Sequence, residues 1–420
     1  MVYQNGMEEN NKVDIRRCSR KEVLLCICSV LISAFSFIFY LISSNSYPLI
    51  YITLALIFVW CMKYRKIHIE NDSIFWIISA FVFFVSSFFS NDSAALQYGI
   101  TFVAFIFIML VLKEAILDWR KYYFYSVGVF SSIHVFATIL QFFAPEVIDS
   151  VNKTVLPATS YSENARLLQF FGAHAGITGQ TGRNGLYISV ALGFWIVLFI
   201  TSSIKKKKVA YFGMIILSFA ALLLTHKRTF LIIPIINILV LIKIRKKVTI
   251  KTLLRIVFVV ILLLFIFSFL TKNIPELAFT FQRFNSSDIT TGRSDLWKMG
   301  MEIAFEHPVF GVGILNSRNK IGMWPHNIYI QLFAELGLLC GGLVIFSMLH
   351  SLVEKIKICD YVDESNERYH LFAIYSQLLF LIYGFTGNPF FEIQVVGFYI
   401  ITIALGVSRF TINRTCDYIE

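Results

Sequence analysis

Ala94–Leu112 reads AALQYGITFVAFIFIMLVL, an unbroken stretch without a single charge. A helix needs roughly 20 such residues, at about 1.5 Å of rise each, to cross the hydrocarbon layer of a membrane. Lipid gives the backbone no hydrogen-bonding partner, so a spanning segment of this kind must be helical. Lys113-Glu114 closes the stretch at one end and Asn91-Asp92-Ser93 at the other. Similar stretches recur upstream at Val23–Ser43, Tyr47–Met62 and Ser73–Phe89. Downstream they recur at Tyr122–Phe143, Gly185–Ser202, Val209–Leu224, Thr229–Ile242, Leu253–Leu270, His326–Leu352, Leu371–Phe385 and Ile393–Ser408. The 420-residue chain is 57% hydrophobic, with 43 Phe and a mean hydropathy of +0.70. Soluble domains sit nearer 45–50% apolar, roughly. These runs predict an all-α integral membrane protein with about 12 transmembrane helices in a single polytopic domain spanning 1–420.

The cations set the orientation. Basic residues cluster in the N-terminal segment (Arg16, Arg17, Arg20, Lys21), then in alternate loops: Lys63/Arg65/Lys66, Lys113/Arg120/Lys121, Lys205–Lys208, Lys243–Arg255 and Lys355/Lys357/Arg368, and finally Arg409/Arg414. This side of the chain holds 26 of the 37 Lys and Arg residues. The opposite loops include the two longest, yet three of them, Ser44–Ser46, Asn91–Ser93 and Gly387–Glu392, carry no cation. Cytoplasmic loops are the ones enriched in Lys and Arg. Both termini are therefore expected in the cytoplasm, with the long loops 144–184 and 271–325 outside. The net charge of +11 is accounted for by this loop bias, and no soluble module interleaves basic and base-stacking residues as nucleic-acid binding requires. The first apolar run, about 21 residues, is too long for the h-region of a cleaved signal peptide. None of the seven cysteines falls in an outer loop or shows metal-ligand spacing.

Three features converge on the outer face. Thr225-His226-Lys227-Arg228-Thr229 places cations where the charge bias disfavours them; snorkelling side chains are the simpler account of such a cluster. In the second long loop, Thr290-Thr291-Gly292-Arg293 leads into an amphipathic segment, Ser294–Glu306. Its apolar members are Leu296, Trp297, Ile303, Ala304 and Phe305, and Ser294 is the expected cap. An arginine beside a helix N-terminus is a good anion ligand, since the free N–H groups add to its charge; a helix lying on the membrane is the alternative. Trp324-Pro325-His326-Asn327 opens the tenth segment, and histidine there can act as base, acid or phosphate ligand. Glu335, nine residues on, is expected on the far face of a regular helix, as a packing or buried-network residue like His134.

The ordered set Gly292-Arg293-x-x-x-Trp297, His307-Pro308-x-x-Gly311-x-Gly313, His326-Asn327-x-Tyr329 and Glu335-x-Gly337 resembles the O-antigen ligase and polysaccharide polymerase family. Lys227-Arg228 resembles the family's earlier arginine, and Gly179–Gly185 its Gly/Asn-rich entry to a span. The detailed likeness runs over roughly Gly179–Gly342; elsewhere only helix number and topology agree. The resemblance implies a GT-C-like helical bundle in the bacterial inner membrane, acting on its extracytoplasmic face. It implies an undecaprenyl-diphosphate-linked oligosaccharide donor, a glycan acceptor, contact with membrane lipid, and a chain-length regulator as a further partner. By the same likeness, Arg228 and Arg293 match the diphosphate-binding arginines and His326 the catalytic histidine. Arg183, Lys227, Asn327 and Trp324 are the neighbouring substrate-binding candidates. Lys-Arg-Thr stands where ligases often have Ser-Arg-Gly, which is closer to the polymerases of capsule and exopolysaccharide repeats.

Attack opposite the leaving group would make the expected reaction inverting, and no metal or other cofactor is expected because the outer loops contain no Asp-x-Asp or Asp-Glu pair to supply oxygen ligands. A ligase that moves finished glycan to a lipid A-core or protein is the alternative within the family. A flippase for the same lipid-linked units is the alternative of another class. Pro234 would suit a transporter's broken helix, but no matching half repeats it. The charge alternation makes a direct prediction. Cysteines placed singly at 228, 293 and 326, in a background without native thiols, should react with an impermeant reagent added outside. Labelling only after permeabilisation would reverse the orientation.

Overall fold

The computed structural model describes residues 23–38, 47–61, 69–115, 119–245 and 292–407. The predicted ninth segment, Leu253–Leu270, and residues 271–291 of the second long loop lie outside the described residues, as do Arg409 and Arg414. Among the described residues there is no strand. The helices are α1 (Val23–Phe37), α2 (Tyr47–Cys61), α3 (Asn71–Ser87), α4 (Ala95–Glu114) and α5 (Trp119–Phe143). They continue with α6 (Pro145–Val155), α7 (Ala158–Phe171), α8 (Thr181–Thr201), α9 (Lys205–Leu224) and α10 (Arg228–Ile244). After the undescribed stretch come α11 (Arg293–Glu306), α12 (Ser317–Ile321), α13 (Ile328–Ile358), α14 (Glu364–Tyr383) and α15 (Ile393–Leu405). Every predicted apolar segment within the described residues is helical. Five of these helices, α4, α5, α8, α9 and α13, are long and apolar enough to cross a membrane. α1, α3 and α15 are apolar but shorter.

The helices pack as an aromatic-rich bundle. Phe83 stacks on Phe102 at 4.2 Å between centroids and on Phe390 at 5.4 Å, and Phe380 stacks on Tyr399 at 4.0 Å. Small polar residues let α3 and α13 approach closely: the Ser79 and Ser347 hydroxyls lie 3.0 Å apart, and the Trp76 indole N–H donates to Ser351 Oγ at 2.7 Å. At the C-terminal ends of α4 and α13, two residues read from sequence as loop cations are buried. Lys113 Nζ lies 2.8 Å from Asp72, and Lys355 Nζ donates to the Val407 carbonyl at 3.1 Å.

The first long loop is largely helical, as α6 and α7. Two local expectations change. α11 begins at Arg293 behind a Gly292 cap with φ 79°, so Ser294 is inside the helix, not capping it. Of its apolar members, Ile303 and Ala304 are buried and Phe305 is 67% exposed, which sets the buried stripe at Gly300, Ile303 and Ala304.

The largest change lies in α13, which sequence alone reads as one regular helix from His326. The structure breaks it at Gly337, with φ 79° and ψ 169°. The backbone of residues 308–313 fills the break. Val312 N donates to the Ala334 carbonyl at 3.1 Å and Gly313 N to that of Glu335 at 3.0 Å, while Leu338 N donates to the Pro308 carbonyl at 2.7 Å. Groups that a regular helix would satisfy internally are thus satisfied by the loop, as a membrane protein requires. Two glycines make room. A Cβ on Gly337 would stand 2.5 Å from the Val309 carbonyl carbon, and one on Gly311 (φ 65°) would collide with the backbone of Glu335. Glu335 is fully buried and holds the loop from the side: its carboxylate accepts from Leu315 N at 2.7 Å, Ser317 Oγ at 2.6 Å and Gln331 Nε2 at 2.9 Å. It is the network residue expected, although the helical-face argument for it fails because His326 precedes the helix.

Gly337→Ala should therefore destabilise the protein by at least about 2 kcal/mol, from left-handed strain plus backbone collision. Gly213→Ala, on α9 with nothing within 4 Å of the new methyl, should leave stability unchanged or slightly raised. Thermal unfolding in detergent checks both, and equal behaviour of the two variants would contradict the interlocked break.

Candidate functional site

The loop in the break fixes where α11 lies. α11 packs on α13 through Gly300, where a Cβ would meet Ile330 at 2.6 Å, and a small apolar cluster of Ile303, Val312, Ile321 and Ala334 seals the contact. The Trp297 indole N–H donates to the Pro325 carbonyl at 2.9 Å. One turn of α11 thus joins Arg293, at its start, to the segment that carries His326.

The turn after α14 gathers the other helix ends. Arg293 Nη1 donates to the Thr386 carbonyl at 2.8 Å. Thr386 Oγ1 donates to the hydroxyl of Thr229, the neighbour of Arg228, at 3.1 Å. Ile328 N donates to the Gly384 carbonyl at 2.8 Å, which brings the start of α13 to the same turn. Tyr383 packs on Phe230 at 4.7 Å between ring centroids and feels the charges of Glu392, Arg293 and Arg183. The N-termini of α8, α10, α11 and α13 therefore meet around residues 383–386. Helix N-termini are favourable for anions, and three of these four, α8, α10 and α11, carry cationic side chains as well.

His326 stands one residue before the cap of α13, in a left-handed conformation with φ 54°. Asn327 is the cap itself: its side-chain oxygen accepts from Tyr329 N at 3.0 Å and Ile330 N at 3.3 Å. The α9–α10 turn repeats the arrangement, with His226 at φ 55° before the Lys227 cap. Left-handed non-glycine residues are uncommon and cost energy, and they cluster where a side chain must be aimed. The His326 imidazole is half-buried, and burial pushes its pKa below the usual histidine range; the positive charges of Arg293 and Lys227 push it down further. Both effects favour the neutral form of the imidazole, which lies beside cations suited to an anion.

The remaining candidates are placed as follows. Lys227 and Arg228 open α10, half-buried. Arg183, in the first turn of α8, pairs with Glu392 at 3.3 Å, so its charge is already partly balanced. Trp324 is covered by Arg318, whose guanidinium carbon lies 5.0 Å from the ring centroid and whose Nη2 lies 3.4 Å from Asp92. Thr229, Tyr383, Thr386 and Glu392 are members of the site that sequence reading missed. Only the position of Gly384–Asn388 at the end of an apolar run offered a signal. Among the described residues, no group of three His, Cys, Asp or Glu gathers to hold a metal.

Residues 213–346 match the family model described as O-antigen ligase. No curated protein matches the chain. The matched segment runs from α9 into α13 and contains Lys227, Arg228, Arg293, Trp324, His326, Asn327 and the Glu335-x-Gly337 break, whereas Arg183 lies before it. Residues 213–346, which carry the interlocked motifs and three of the helix starts at the cationic cluster, are thus the part of this multi-pass helical chain that is similar to the O-antigen ligase family.

Proposed function

We propose that this protein is a polymerase of lipid-linked oligosaccharide repeats, working at the extracytoplasmic face of a bacterial inner membrane. The observation that carries the reading is the linkage of Arg293, Thr386 and Thr229 beside the half-buried His326, whose pKa is lowered. Undecaprenyl diphosphate is the leaving group. As the bond between the anomeric carbon and its phosphate oxygen breaks, the electron pair goes to that oxygen, and negative charge grows on the diphosphate. Arg228 and Arg293 meet this charge. Their planar donors suit phosphate geometry, and a preorganised donor of this kind is worth about 10²–10³ in rate. A hydroxyl of the acceptor glycan attacks the anomeric carbon from the opposite side, and His326 takes its proton. The anomeric configuration is thereby inverted. Positioned bases of this type contribute about 10²–10⁴. No step calls for a metal, which agrees with the lack of paired carboxylates in the outer-loop sequences. The description of the matching family model favours ligation as a second reading, in which the acceptor is a lipid A-core or protein.

The purified protein in proteoliposomes, given lipid-linked repeat units, should make longer glycan and release undecaprenyl diphosphate with each new bond. Transfer to an added lipid A-core acceptor without chain growth marks a ligase. Movement of the lipid across the bilayer without new bonds contradicts both enzyme readings. The pH profile tests the base. His326 must be neutral to accept a proton, and its pKa is lowered, so activity should persist below pH 6.5, the ordinary histidine value, and fall only on stronger acidification. Arg293→Gln removes one of the charges that lower it, so the acid limb should move to higher pH as the rate drops. A limb that stays in place would show that another group titrates.

A further inference from the structure

Beside the cationic helix ends lies a cavity of about 270 Å³ that the reaction above does not use. One wall is polar: Thr181 at the start of α8, and Thr225, His226 and Lys227 from the α9–α10 turn. The other is apolar, made by Leu167, Phe171 and Ala173 at the end of α7 and just beyond. Ligand pockets run roughly 300–1,000 Å³, so this cavity suits one ring rather than an oligosaccharide. Its two-sided lining suits a ligand with two characters. A pyranose has such faces, with C–H groups that lie against an aromatic or aliphatic wall and hydroxyls that bond to polar groups at the edge. The start of α8 adds donors, since its Gln180 cap makes no side-chain bond to the first-turn N–H groups. By contrast, the open groove between α3 and α4, about 460 Å³, is lined by apolar side chains throughout, such as Phe81, Phe84 and Val103, and suits only a hydrocarbon.

Lys227 links the cavity to the cationic helix ends. It lines the cavity, precedes Arg228 and lowers the His326 pKa, so it belongs both to the cavity and to the site of charge. We propose that the cavity is the subsite for the donor's first sugar, the pyranose attached directly to the diphosphate. The proposal rests on the reading of Arg228 and Arg293 as the diphosphate site and extends it. A ring seated there is held at its distal edge by the Thr181 and Thr225 side and at its anomeric end by the cations. Its C1 is thus kept between the leaving diphosphate and the attacking hydroxyl. Selection of the first sugar is then set by the α7 wall, where Ala173 leaves the space and Phe171 lies against the ring.

The test compares two lipids on the full-length protein in nanodiscs: undecaprenyl diphosphate, and the same lipid bearing one N-acetylhexosamine. Wild type should bind the sugar-bearing lipid about tenfold more tightly, the effect of roughly one or two net hydrogen bonds. Ala173→Leu fills the cavity and Phe171→Ala removes the exposed part of its wall. Each should abolish the difference while binding bare undecaprenyl diphosphate within about twofold of wild type, which also shows that the variant is folded. A difference that survives in both variants, or is absent in wild type, overturns the subsite while leaving the diphosphate site intact. Bare undecaprenyl diphosphate that fails to bind wild type, or binds Arg228→Gln equally well, overturns the diphosphate site and the subsite with it.

Discussion

The architecture of the site depends on one interlock, the backbone of residues 308–313 lodged in the break of α13 at Gly337. An unsatisfied peptide group in a membrane interior costs several kcal/mol, roughly, so a broken helix persists there only if something replaces its lost hydrogen bonds. Val312, Gly313 and Pro308 do so, bonding to Ala334, Glu335 and Leu338 respectively. The fit tolerates almost no change, because Gly311 and Gly337 lie against backbone atoms of the opposite segment. Glu335 adds a side-chain clamp on Leu315 and Ser317. The two motifs His307-Pro308-x-x-Gly311-x-Gly313 and Glu335-x-Gly337, separate in sequence, are thus two halves of one joint.

The joint matters for function because of what it orients. It holds α11 against the first half of α13, which sets Arg293 relative to His326, and Trp297 reinforces the pairing through Pro325. The turn after α14 brings in a second cation, Arg228, through the bond between Thr386 and its neighbour Thr229. Charge, burial and helix ends then act together. Burial lowers the pKa of the nearby His326 imidazole, and the positive charges of Arg293 and Lys227 lower it further. In the proposed reaction one arrangement would serve both the leaving group and the base. Binding of the diphosphate, which neutralises the cations, would raise the imidazole's proton affinity at the moment it is needed.

The helical segments were legible in the sequence because a span needs a long apolar run, and such a run survives any tertiary context. Arg228, Arg293 and His326 were legible as candidates because charge alternation and motif order placed them on one face. The break at Gly337 was not. Its flanks, Leu332 to Leu336 and Leu338 to Cys340, are as apolar as a regular helix, and the residues that fill the gap come from more than twenty positions upstream. The roles of Thr386 and Glu392 were hidden for a similar reason: their partners Arg293, Thr229 and Arg183 are distant in sequence and meet only when the bundle forms. Local propensity also misplaced the start of α11. Ser294 is a good cap by residue type, but the left-handed Gly292 starts the helix earlier.

The central claim is a division of labour within one site, cations for the diphosphate and a neutral imidazole for the acceptor's proton. The most direct measurement is donor affinity beside the rate of glycosidic bond formation for Arg228→Lys and His326→Ala at matched membrane levels. Lysine keeps the charge but loses the planar fork, so Arg228→Lys should weaken donor binding and slow bond formation together. His326→Ala should slow bond formation by about 10²–10⁴ with donor affinity nearly unchanged. Donor affinity that falls in His326→Ala as it does in Arg228→Lys would make His326 a phosphate ligand. Near-normal bond formation in both variants would place the chemistry elsewhere.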